Sequence, residues 1–85
     1  MNVYQKISIE ILKCLDEMDN NEEFKKKNPN ITATEYLITK VNPNIKLCRI
    51  INILTGKSKK ISLKELSIIC CWLDIELSDM LKKVI

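Results

Sequence analysis

The sequence predicts an all-α fold, a compact bundle of about five short helices in one domain spanning residues 1–85. Three observations carry that prediction. Apolar residues make up 46% and charged residues 29% of the chain, the balance of a globular protein with one small core. One glycine and two prolines leave few residues suited to the tight turns of a sheet. Apolar positions recur at spacings of three and four, the period of a helix face.

The first helix is expected over Val3 to Met18, where Val3, Ile7, Ile11, Leu15 and Met18 share a face and Asp19, Asn20 and Asn21 end the pattern. The charged stretch from Glu22 to Asn30 reads as a loop or a frayed helix end. Pro29 bars a helix through Asn28, and Phe24 is the one apolar residue able to pin the stretch to the body. Lys25, Lys26 and Lys27 read as solvated surface.

Thr32 or Thr34 can cap a second helix over roughly Ala33 to Val41, with Tyr36, Leu37 and Val41 inward. Asn42-Pro43-Asn44 then breaks the chain, since asparagine tolerates a left-handed backbone and proline cannot continue a helix. A third helix follows from Asn44 to Thr55, and two short helices joined by a tight turn are the outline of a helix-turn-helix. Thr55-Gly56 is a helix stop and Lys57-Ser58-Lys59-Lys60 a basic loop. Ser62-Leu63-Lys64-Glu65 is a capping box, in which serine and glutamate each satisfy a backbone amide at the other's end of the turn. It starts a helix that directs Leu63, Leu66, Ile69, Cys70 and Leu73 inward. Asp74 stands where a helix-terminating glycine is usual, and Glu76 to Lys83 supply a last helix with Leu77, Met80 and Leu81 inward.

Several classes of chemistry are excluded by what the chain lacks. It has no histidine, and Cys14, Cys48, Cys70 and Cys71 show no CxxC spacing, so no metal site and no cofactor are expected. Without histidine or clustered carboxylates, general acid-base catalysis lacks its usual groups, and no base stands ready to activate Cys70 or Cys71; an enzyme is not expected. The longest apolar run, Ile68 to Leu73, is too short to span a bilayer, and the opening residues lack the pattern of a secretory signal. The expectation is a cytoplasmic protein without a membrane partner, its thiols reduced and buried as small apolar groups.

Charge is distributed unevenly. Residues 1–36 hold five lysines against seven carboxylates, whereas residues 37–85 hold nine basic against four acidic side chains, so a net +3 conceals halves of about −2 and +5. Between Glu35 and Glu65 there is no acidic residue, yet Lys40, Lys46, Arg49, Lys57, Lys59, Lys60 and Lys64 lie there. A polyanion would be drawn to that part of the surface. Placing each residue 100° after the last puts Leu47, Ile50, Ile51 and Leu54 in one arc of the third helix, with Lys46, Arg49, Asn52 and Thr55 opposite. Cys48 and Ile53 also fall on the polar side, so an ordinary solvated face competes with a binding stripe.

The segment GKSKKISLKELSIICCWLDIELSDML resembles the second half of the Cro/repressor (XRE-type) helix-turn-helix family. Members of that family tend to read isoleucine-leucine-asparagine-glycine-lysine, then serine-leucine and a leucine-rich helix, a glycine, and a valine-serine-leucine turn into a final helix. The likeness covers about 40 residues and reaches the first two helices only in outline. It implies a lambda-repressor-like bundle whose second and third helices form the motif, the third entering the DNA major groove. The chain departs from the pattern where Leu37 or Ile38 replaces a small residue in the second helix and Asn42-Pro43-Asn44 replaces a turn glycine.

The expected function is therefore a small sequence-specific regulator of transcription, a repressor, binding double-stranded DNA as a homodimer. The angular argument selects Lys46, Arg49 and Asn52 as base-reading residues: arginine can bridge guanine O6 and N7, asparagine can pair with adenine, and lysine can serve base or phosphate. Thr34, Asn44, Thr55, Lys57, Ser58, Lys59 and Lys60 are the expected contacts to the DNA backbone. Met80, Leu81, Val84 and Ile85 form an apolar end which, with Trp72, is the expected dimer or partner surface. The alternative is a protein-binding module on the same fold, a phage-encoded inhibitor or antitoxin-like partner, prompted by Ile68, Cys71 and Trp72 where the family is polar.

Overall fold

Six helices and no strand make up the computed structural model, which describes all of residues 1–85. They are α1 (Val3–Asp19), α2 (Glu22–Lys27), α3 (Ala33–Val41), α4 (Leu47–Leu54), α5 (Leu63–Leu73) and α6 (Leu77–Val84). Local chemistry accounts for most of the boundaries. Capping boxes start α1 (Asn2 with Gln5), α3 (Thr32 with Glu35) and α5 (Ser62 with Glu65), each pair exchanging side-chain bonds with backbone amides. Asp74 closes α5 in the left-handed conformation, φ 58°, which an aspartate can adopt in place of the usual glycine. Gly56, φ 73°, ends the turn after α4, where a side chain would be strained.

The sixth helix is α2. The stretch expected to be loop or frayed end is a short helix because the Asn21 side chain caps it, accepting from the Phe24 amide at 3.0 Å. Glu22 and Glu23 open it and Lys25, Lys26 and Lys27 close it, charges that match the helix dipole at both ends. It stops at Asn28, before Pro29, as the proline requires. Phe24 is half-buried against the core and meets the Tyr36 ring edge-on at 5.3 Å; Tyr36 in turn meets Trp72 at 6.4 Å. The Lys40 ammonium stands over both Tyr36 and Trp72, 5.7 and 5.6 Å from the ring centres.

Long α1 lies at the centre of the arrangement. It packs against α2, α3, α4 and α6, while α5 packs against α3 and α6. Ile7, Ile11 and Leu15 of α1 meet Ala33, Leu37 and Val41 of α3, Ile50 and Ile53 of α4, Leu66 and Ile69 of α5, and Met80 and Val84 of α6 in one buried cluster. Two polar ties fix the helix, one at its C-terminal end and one in its second turn. The Asp19 carboxylate accepts the first amide of α3, Ala33 N–H, at 2.7 Å, and the buried Ser8 hydroxyl donates to the Ile53 carbonyl in the last turn of α4.

Two sets of expected positions are corrected. Met80 and Val84 are 1% and 2% exposed and Leu81 is half-buried, so the C-terminal apolar residues cover the protein's own core and only Ile85 and part of Trp72 remain open. The 3.6-residue period aims Met80 and Val84, four apart, at α1 on the same face as Leu77 and Leu81. Leu63, expected inward, is exposed at the first position of α5, before that helix reaches the core. Of the four free cysteines only Cys70 is buried; Cys14 is half-buried, and Cys48 and Cys71 are exposed. Burial pushes the Cys70 thiol up to about 11, with the neighbouring Cys14 adding to the effect.

Candidate nucleic-acid interface

Helix α4 is shorter than the 44–55 expected and is rotated about its axis. Asn44 is in the turn after α3, Ile45 is buried there as a core residue, and Lys46 is the N-cap. Ile50, Ile53 and Leu54 face the core, whereas Leu47 is 56% and Ile51 43% exposed. At 100° per residue the buried arc is turned by about 60° from the one centred on Leu47, Ile50, Ile51 and Leu54. Ile53, on the polar side of the expected arc, is instead fully buried beside Ile50, and the carbonyl of the same residue is held by Ser8.

The rotation removes Arg49 from any outward stripe. Its Nε and Nη2 donate to the two carboxylate oxygens of Glu65 at 2.6 and 2.8 Å, its Nη1 donates to Ser58 Oγ at 2.7 Å, and Nη2 also donates to the Lys60 carbonyl. The planar fork that could have read guanine is closed on a carboxylate of the same chain. Arg49, expected to read bases, therefore ties α4 to the start of α5. The hydrogen bond from Arg49 is the chief reason the Glu65 carboxyl falls to about 2, with the Ser62 amide contributing. The partner guanidinium is raised by the same bond.

Ser58, expected on the DNA backbone, is likewise withdrawn. It is buried, accepts from Arg49 and donates to the Lys60 carbonyl at 2.6 Å. The loop is anchored at its other end too, because the Lys57 and Ser58 amides both donate to the Asn52 carbonyl. Lys57, Lys59 and Lys60 are thus carried on a loop fastened along the Arg49–Asn52 edge of α4, with their own side chains exposed. Thr34 is half-buried in the first turn of α3, while Thr32 provides that helix's cap.

What α4 presents outward is Lys46, Leu47, Cys48, Ile51, Asn52 and Thr55, all exposed. Lys46 makes no side-chain cap, so the first-turn amides of α4 have no side-chain partner. Of the seven basic residues between Glu35 and Glu65, Arg49 alone is neutralised by an ion pair, and Lys46, Lys57, Lys59, Lys60 and Lys64 are exposed and unpaired. Sequence reasoning had the lysines and Asn52; it missed Leu47 and Ile51, whose exposure no pattern short of the true rotation could reveal. A second surface feature is a groove of about 350 Å³ with no charged side chain in its lining, where Ile9 and Leu12 of α1 border Leu54 and Gly56. No helix is long and apolar enough to cross a membrane. No protein-family model, curated protein or solved structure matches this chain.

Proposed function

We propose that the protein is a sequence-specific DNA-binding regulator in which α3, the 42–46 turn and α4 act as a helix-turn-helix, α4 lying in the major groove. The observation that supports this reading most is the juxtaposition on α4: an exposed helix face bordered by a fastened loop of unpaired lysines, with no acidic residue between Glu35 and Glu65. Lys46, Lys57, Lys59 and Lys60 would meet phosphates, with Asn44, Thr55 and Thr34 beside them, and Asn52 would face a base edge. A lambda-repressor-like arrangement accommodates α1, α3, α4, α5 and α6 as its five helices, with α2 inserted between the first two. Repression follows if two copies occupy adjacent half-sites and block access to the DNA. With Met80 and Val84 in the core, that pairing has no strong apolar driving force and forms on the DNA, with Trp72 and Ile85 at most marginal to it.

Fluorescence anisotropy with mixed-sequence duplex DNA tests this. Four to five lysine contacts predict a log-log slope of affinity against salt of roughly −4, and two copies per specific site at saturation. No binding at low salt, or a flat salt response, would overturn the reading. A protein-binding module remains the second reading, favoured by the groove at Ile9, Leu12 and Leu54, whose lining side chains carry no charge.

A further inference from the structure

The outward face of α4 is unusual for a surface destined for DNA. One flank of it is apolar: Leu47 and Ile51, four residues apart, stand side by side with more than two-fifths of each exposed, and Cys48 is open next to them. The one arginine of the chain, the residue best able to bridge the two acceptors of guanine, is held by Glu65, Ser58 and the Lys60 carbonyl. Exposed leucine and isoleucine beside lysines do not suit a solvated face, and they cannot hydrogen-bond to a base. In the major groove one base-pair feature is apolar, the C5-methyl group of thymine, and the group paired with it, adenine N6/N7, is the one that an asparagine amide matches in both donor and acceptor. Asn52 is the exposed amide on this face, one position on from Ile51.

We infer that this face reads A·T base pairs, Leu47 and Ile51 packing on thymine methyl groups while Asn52 pairs with adenine. This rests on the DNA reading above. The lysines at either end, Lys46 and the 57–60 loop, supply phosphate attraction common to all sequences, so the discrimination comes from the apolar pair and the amide. Arg49 is a positioning residue in this scheme, holding the lysine loop against α4. The surface is thereby divided, with lysines setting affinity and Leu47, Ile51 and Asn52 setting which sequence is held.

The test begins by selecting bound duplexes from a random pool, then replaces each thymine of the selected half-site by deoxyuridine, which removes the methyl group alone. The expected half-site is A·T-rich, and each critical deoxyuridine weakens binding about four-fold, the value of one buried methyl-sized group. Leu47→Ala and Ile51→Ala, both at exposed positions, should each erase the difference between thymine and deoxyuridine at one base while retaining the salt-dependent affinity. A selected half-site dominated by G·C pairs, or indifference to deoxyuridine throughout, would overturn the inference and leave the DNA reading standing. Failure to enrich any duplex at low salt would overturn both.

Discussion

The guanidinium of Arg49 joins three segments through one side chain: α4, the lysine loop and the first turn of α5. Losing it leaves Glu65 with only its capping role and deprives the buried Ser58 hydroxyl of a donor, so Arg49→Ala should lower unfolding free energy by about 1 to 3 kcal/mol in urea titration. The preferred DNA sequence of the folded fraction should not change, since the side chain is turned away from the outward face. The acid dependence follows from the same bond. Glu65 titrates near 2 when folded against 4.5 unperturbed, a lowered pKa, so its stabilisation is complete above about 4.5 and fades as the pH falls toward 2. The gap between wild type and Arg49→Ala should accordingly narrow across that window; a gap that stayed constant would place the stabilisation elsewhere. None of this was legible in the sequence, because Arg49 and Glu65 are 16 positions apart and the pairing exists only once α4 and α5 are packed.

Among the helices, α1, α3, α5 and α6 were legible to within a residue or two, because each has a clear apolar period and the first three add a capping box that acts locally. Helix α2 was missed where the signal was also local: Asn21 followed by two acids and three lysines is a capped, dipole-matched turn that apolar spacing cannot detect. Helix α4 failed for a different reason. Six of its eight residues are apolar or cysteine, so the period admits two rotations, and the choice between them is made by α1 through Ile53 and Ser8. The rotation is open to a stability measurement. Ile53→Ala should cost about 2 to 5 kcal/mol, as emptying a core site does, and Leu47→Ala should stay within about 0.5 kcal/mol. The reverse ranking would restore the first orientation and return Arg49 to the outer face.

For the whole molecule, the uneven charge read from the sequence becomes a spatial statement once the loop is fastened to α4. Six of the seven acidic residues of the N-terminal part lie on α1 and α2, with Glu35 in the first turn of α3, and the unpaired lysines at 46, 57, 59 and 60 border the exposed face of α4. The apolar C-terminal end expected at a dimer seam is the molecule's own core, with Met80 and Val84 buried. The two candidate surfaces differ in charge: the lysine-bordered face of α4 suits a polyanion, and the groove beside Ile9, Leu12 and Leu54, with no charged side chain in its lining, suits an apolar partner. Amide chemical-shift mapping during titration with the selected duplex separates them directly. The DNA account predicts perturbations concentrated at residues 44–60 and the first turn of α3, with Ile9 and Leu12 silent. Shifts centred on Ile9, Leu12 and Leu54 with α4's outward residues unmoved, or no shifts at all at low salt, would contradict it.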